Sequence, residues 1–260
     1  MLKITEENQI ALVSLNRPDV RNAFNQEMIQ QLTETFNQFS ARNDLRAIVL
    51  SGEGKAFCAG ADLNWMKSMV QYDLTQNLED SGRLFAMFEA IWNCPIPVIG
   101  LVHGAAFGGA LGLMAACDYV IAEENSQLCF SEVKIGLVPA VISAFILKKC
   151  AAGAVSHLMI SGKIFKPQEV FGTGLVHEVA PDAHLAAAIA QVVRHFEVAG
   201  PEAVRETKKL IRKLANVSWS EAKAETCRVI AERRMSTEGQ EGLKSFLEKR
   251  NPNWKLPHGE

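Results

Sequence analysis

Two glycine-rich turns and one acidic segment hold the residue types that could do acid–base chemistry in this chain. The first turn, Phe57-Cys58-Ala59-Gly60-Ala61-Asp62-Leu63, follows an apolar run ending at Leu50. The second, His103-Gly104-Ala105-Ala106-Phe107-Gly108-Gly109-Ala110, follows another run ending at Val102. Small residues let the backbone approach a bound group closely, and the first N–H groups of a helix lack intrahelical partners. Two such turns can aim two N–H groups, reinforced by a helix dipole, at one developing oxyanion. The same glycines can equally serve tight turns and helix packing alone. Neither turn is followed by Gly-Lys-Ser/Thr and neither reads GxGxxG, which argues against a nucleotide phosphate loop. The acidic segment is Ser131-Glu132-Val133-Lys134-Ile135-Gly136-Leu137. Its Glu132 is placed either to move a proton or merely to start a helix. Asp62 reads as a helix N-cap, and His103, at a strand end, as a structural hydrogen-bonding residue.

Elements must hold these turns in place. Ile10–Leu15 reads as a strand, closed by the turn chemistry of Asn16-Arg17-Pro18-Asp19. Met28, Ile29, Leu32, Phe36 and Phe39 recur at helical spacing over 26–41, with Asn25 as N-cap. Short apolar runs at 47–50 and Val98–Val102 fit buried strands. Further helices are expected over 74–92 and 110–116, and strands over 119–122 and 175–179. From Asp182 onward the pattern is helical, over 183–196, 201–215, 220–235 and 239–249. The expected class is α/β, with residues 1–180 forming the core that carries the site and 181–260 a helical C-terminal region.

Composition removes several classes. Of 260 residues, 48% are hydrophobic and 22% charged, ordinary globular values that exclude a disordered or fibrous chain. The formal charge of −2 offers no general attraction for a phosphate backbone. Six cysteines lie in or beside apolar runs without CxxC or metal-site spacing, so each is expected to be a reduced, buried thiol, and no metal is expected. No secretory leader or membrane span is evident, and the expectation is a cytoplasmic protein.

Taken in order, Asn16-Arg17-Pro18, Arg21-Asn22-Ala23-Phe24, 57–63, 104–109, Ala116-Cys117-Asp118, 130–139 and the tail from Glu241-Gly242 to Arg250 resemble the enoyl-CoA hydratase/isomerase (crotonase) superfamily. The resemblance implies a crotonase-like spiral of ββα units, an α-helical C-terminal trimerisation region, and a homotrimer or dimer of trimers. It also implies an acyl-CoA thioester substrate, with no cofactor besides the CoA that the substrate carries. By motif position, the backbone N–H groups of Ala61 and Gly109 form the oxyanion hole and Glu132 is the general acid/base. Ala59, Gly60, Asp62, Leu63 and Trp65 are implied to line the substrate, and Arg21 and Lys249 fall where the family places basic side chains near the CoA phosphates. Trp65 and Met66 read as core or acyl-pocket wall.

Family hydratases use two glutamates, and the second position falls on Gly112. The combination Gly60-Ala61-Asp62-Leu63-Asn64-Trp65-Met66 with 131–143 is most similar to bacterial methylglutaconyl-CoA hydratases of leucine breakdown, and to relatives in acyclic terpene degradation. That subgroup also carries glycine at the Gly112 position. The expected reaction is therefore hydration of 3-methylglutaconyl-CoA or a similar branched, carboxylated enoyl-CoA. Gly112 is expected to open space and to remove a repulsion of roughly 4 kcal/mol at about 4 Å. Lys67 and Ser143 are candidates to meet the distal carboxylate. The enzymatic alternatives are an enoyl-CoA Δ-isomerase or a general short-chain hydratase. RNA binding through a lysine-rich first helix, known in one relative, lacks support because the 25–41 helix holds no Lys or Arg. The stretch Lys208-Lys209-Leu210-Ile211-Arg212-Lys213 reads as a solvated or CoA-facing surface.

Overall fold

The computed structural model describes residues 1–215 and 217–255. A six-stranded sheet runs in the order β1 (Leu2–Glu7), β2 (Ile10–Leu15), β3 (Ala47–Gly52), β4 (Val98–Val102), β6 (Tyr119–Glu123) and β8 (Glu178–Ala180). Only the β1–β2 pair is antiparallel; every later pairing is parallel. Parallel strands covered on both faces should be apolar throughout. In β3, Ile48 and Leu50 face the larger core, while Ala47 and Val49 face the opposite side.

The larger core is closed by α1 (Gln26–Ser40), α3 (Leu74–Asn93) and α4 (Gly109–Ala116). On the other face, Leu185, Ala188, Val192 and Val193 of α7 (Leu185–Val198) cover Ala47, Val49, Ile99 and Ile121. α1 obeys the amphipathic reading: Met28, Ile29, Leu32, Phe36 and Phe39 are buried, and the Asn25 side chain accepts from the Met28 N–H.

A second, smaller layer carries the turns. β5 (Ala105–Phe107) pairs with β7 (Gln127–Cys129) directly after the chain leaves β4 and β6. Isolated bridges Cys58↔Ala106 and Leu128↔Phe165 extend this layer on both sides. The turns that follow β3, β4 and β6 therefore meet at one common rim, as a repeat of ββα units requires.

The strand expected at 175–179 forms instead at Glu178–Ala180. Leu175 and Val176 are buried, but they follow a turn in which Gly172 and Gly174 adopt left-handed φ values of 76° and 100°. α2 (Leu63–Met69), α5 (Ala140–Lys149) and α6 (Ala152–Ser161) add helices that the hydrophobic periodicity does not announce. Beyond Asp182 the described elements are helical, with α8 (Pro201–Leu214), α9 (Trp219–Met235) and α10 (Thr237–Leu247) after α7. Among the described residues no helix is long and apolar enough to cross a membrane.

Two expectations need correction. Cys227, on the polar helix α9, is exposed, whereas the other five thiols are buried. The basic stretch of α8 is not simply solvated. Lys208 is buried and donates to the Ile96 carbonyl at 2.8 Å and to Asp118; Arg212 donates to the other Asp118 oxygen at 3.0 Å. Arg212 also lies over the Trp92 ring, 4.7 Å from its centroid. The pairing turns these side chains inward, because a buried ammonium such as that of Lys208 needs counter-charge, which the half-buried Asp118 supplies. Lys209, by contrast, is exposed and pairs with Glu206.

Candidate active site

Phe24 organises the site. Its N–H donates to the Gly60 carbonyl and its carbonyl accepts from the Asp62 N–H, each at 2.7 Å. This is a parallel bridge to Ala61 in which Phe24 makes both bonds. Strand geometry then turns the N–H of Ala61 itself to the opposite side, away from Phe24. The Phe24 ring meanwhile lies against Gly109, with Cε2 at 3.0 Å from where a Cβ would stand. One residue thus touches the two segments that carry the candidate donors.

The turns also meet directly. A Cβ at Gly60 (φ 97°) would stand 3.1 Å from the Phe107 carbonyl oxygen, so the close approach requires glycine. Gly108 (φ 54°) caps α4 without a side chain, leaving Gly109 at the first helical position. No turn or loop carbonyl among the described residues accepts from the N–H of Ala61 or of Gly109. α4 is short and buried from Ala110 to Ala116, so its N-terminal dipole acts in a low-dielectric setting.

Glu132 starts a short 3-10 turn, Glu132–Ile135, held from behind by the Leu137 N–H donating to the Glu132 carbonyl at 3.1 Å. Its carboxylate reaches Gly108: Oε1 lies 3.4 Å from where a Gly108 Cβ would be. Oε2 is buried with no hydrogen-bond partner. Burial pushes the carboxyl above its ordinary range. A carboxyl beside the Gly108 turn that leads into α4, with an unpaired oxygen and a raised proton affinity, is suited to take up and return a proton. The end of this turn and the loop after it expose Ile135, Leu137 and Val138, an apolar lip close in sequence to this acid.

The other expected residues divide. Ala59 donates to the Arg21 carbonyl at 2.9 Å, which brings Arg21 to the first turn with its side chain exposed. Asp62 is the N-cap of α2, accepting from the Asn64 N–H at 2.8 Å and the Trp65 N–H at 3.4 Å. Leu63 is 74% exposed and Trp65 buried, its Nε1 unpaired. Asp62 and Trp65 line a cavity of about 380 Å³ with Arg17, Asn25 and Gln26. His103 Nε2 bonds the Gly54 carbonyl at 3.0 Å, a structural role. Lys67 is exposed, and the Ser143 hydroxyl is spent on the Pro139 carbonyl at 2.5 Å.

Among the described residues Lys249 is joined to the turns by no hydrogen bond or ion pair. It follows α10 in a segment whose Trp254 carbonyl accepts from Arg46, at the start of β3, whereas Ala61 follows the end of β3. Gly112 corrects a further expectation. A Cβ there would stand 2.6 Å from both Ile142 Cγ2 and Phe88 Cζ. The position opens no space; two apolar side chains fill it. Sequence reasoning missed Phe88 and Ile142 as walls and Phe24 as the bridge, although Phe24 sits inside a quoted motif.

The model of the enoyl-CoA hydratase/isomerase family matches residues 5–257. A solved enoyl-CoA hydratase from Shewanella pealeana superposes with a TM-score of 0.93 at 36% identity, covering 97% of this chain and 95% of its own. The 2,3-dehydroadipyl-CoA hydratase of Escherichia coli is 27% identical over 98% of each chain. The human mitochondrial Delta(3,5)-Delta(2,4)-dienoyl-CoA isomerase is 34% identical over 80% of this chain and 67% of its own.

Proposed function

We propose, on the premise that this chain belongs to the enoyl-CoA hydratase/isomerase family, that it adds water across the double bond of a 2-enoyl-CoA thioester. The Ala61 and Gly109 N–H groups hold the thioester oxygen as it gains charge. Glu132 takes a proton from water as oxygen bonds to C3, and returns a proton to C2. Each oxyanion donor is worth about 3 kcal/mol by analogy with other enzymes, and the acid–base step roughly 10²–10⁴-fold. Hydration is redox-neutral, so the reaction needs no cofactor beyond the CoA in the substrate. The observation that carries the reading is the Glu132 carboxyl, partly buried and unpaired at Oε2, beside Gly108.

For the acyl group we infer a branched enoyl chain with a distal carboxylate, 3-methylglutaconyl-CoA first, which would place the protein in leucine breakdown. Support comes from the segments 60–66 and 131–143, which resemble those of methylglutaconyl-CoA hydratases, and from glycine at position 112 in both. The test is kcat/KM on 3-methylglutaconyl-CoA against crotonyl-CoA, with products weighed by mass spectrometry. Preference for the carboxylated thioester and a gain of one water are expected. A tenfold or greater preference for crotonyl-CoA, or about 1.4 kcal/mol, rejects the substrate.

A second reading has its own observation. The plugged Gly112 position leaves no second carboxylate there to hold water, which favours a one-acid proton shuttle between C2 and C4, an isomerisation. Product of unchanged mass identifies it. We further propose a homotrimer or a dimer of trimers built on the tail helices. Lys249 would join Arg21 at a CoA phosphate site only from a neighbouring subunit.

A further inference from the structure

Ala61 is held by its neighbours. Phe24 bonds the residues on either side of it, and Asp62 ties the far side to α2. The Arg17 guanidinium closes this arrangement from behind. Nη1 donates to the Ala23 carbonyl at 2.6 Å, next to Phe24, and Nη2 to Asp62 Oδ2 at 2.8 Å, next to Ala61. Both side chains are largely buried, 18% and 8% exposed. Asn22 fixes Arg17 in turn, accepting from the Arg17 N–H at 2.8 Å while its amide donates to the Glu53 and Ala56 carbonyls.

We propose that Arg17 is a positioning residue, a clamp that orients the Ala61 N–H and neutralises the carboxylate beside it. The inference rests on the reading of Ala61 as an oxyanion donor. Two physical effects combine. The forked guanidinium joins the two strands of the Phe24–Ala61 bridge, a geometry that an ammonium cannot reproduce. Asp62 also sits one residue from the place where negative charge develops, and an unpaired carboxylate there would oppose that charge. Burial pushes the Asp62 carboxyl up, but Arg17 and the two α2 N–H groups outweigh it and hold Asp62 below the usual carboxylate range. Its other oxygen caps α2, so the same side chain serves as cap and as counter-ion.

The test uses the full-length protein, kcat and KM on an enoyl-CoA, and infrared difference spectra of a saturated acyl-CoA carrying ¹³C at the thioester carbonyl. The variants are Arg17→Met, Arg17→Lys, and Arg17→Met with Asp62→Asn. Arg17→Met is expected to lower kcat by roughly 10²-fold and to return the bound carbonyl stretch toward its value in water. KM should stay within about threefold, because ground-state contacts to CoA are untouched. Adding Asp62→Asn should recover several-fold of that kcat, since an amide still caps α2 without bringing charge. A merely structural clamp gives no such rescue. Arg17→Lys, which keeps charge and loses the fork, should fall between. Arg17→Met with kcat within threefold of wild type, or with an unchanged carbonyl stretch, overturns the proposal. If Arg17→Met does not fold, an unchanged stretch and kcat in Arg17→Lys overturn it instead. A wild-type protein that leaves the carbonyl stretch at its value in water contradicts the oxyanion reading itself.

Discussion

Burial raises the proton affinity of Glu132 in the folded chain, and that links the acid to stability as well as to chemistry. The folded state binds the proton more tightly than the unfolded chain. Stability from this group is therefore complete below the ordinary carboxyl value of 4.5 and is lost as pH rises through the raised folded value. Glu132→Gln should accordingly raise the melting temperature near neutral pH, and the gain should shrink to nothing in acid. Calorimetry across pH checks this; an equal gain at every pH contradicts it. At this scale the motifs single out Glu132, Ala61 and Gly109 as candidates, because each falls within a short, ordered run. The pairing of Arg17 with Asp62 is hidden, since 45 residues separate the partners and only the fold brings them together. The place of Lys249 is hidden for the related reason that a motif position does not say which end of the sheet it reaches.

Gly112 shows how an element constrains chemistry. It lies one turn inside α4, where Phe88 of α3 and Ile142 of α5 already occupy the space its side chain would take. Gly112→Glu should not create a second catalytic acid. It should overpack the helix contact, costing about 1–3 kcal/mol, with the burial of a carboxylate added. Urea unfolding should show the loss, and adding Ile142→Ala should return part of it. A variant as stable as wild type and faster in turnover would show that these walls yield readily. Elements with a clean period were legible: α1 by its 3.6-residue stripe, and β3 and β4 by continuous apolar runs between turns. α5 and α6 were not, because Ala140–Lys149 and Ala152–Ser161 are apolar on several faces and lack side-chain N-caps. β1 escaped notice because an edge strand reading Leu-Lys-Ile-Thr-Glu-Glu looks polar, with most of its residues exposed.

On the scale of the whole molecule, the helical tail leaves apolar surface uncovered. Trp219, Met235, Phe246 and Leu247 are 91%, 83%, 82% and 79% exposed in one chain. Surface of this kind marks an association site, and copies of the same chain are the proposed partner. Sedimentation at micromolar concentration should give a trimer or a multiple of it, and Phe246→Asp with Leu247→Asp should shift it toward monomer. A stable wild-type monomer rejects the proposal. The change from strand-rich core to helical tail near Ala180 was readable from periodicity, whereas the inward turn of Lys208 and Arg212 toward Asp118 was not, since charge on a helix looks solvated until its partner is known. In the proposed reaction the core and the rim of turns serve one act, proton transfer at an enoyl thioester through the Glu132 carboxyl. The direct measurement is turnover of the best enoyl-CoA substrate by Glu132→Gln, with binding of the saturated acyl-CoA as the control for an intact site. A loss of at least about 10²-fold in kcat with unchanged binding is the predicted result; retention of more than about a tenth of the wild-type rate contradicts the account.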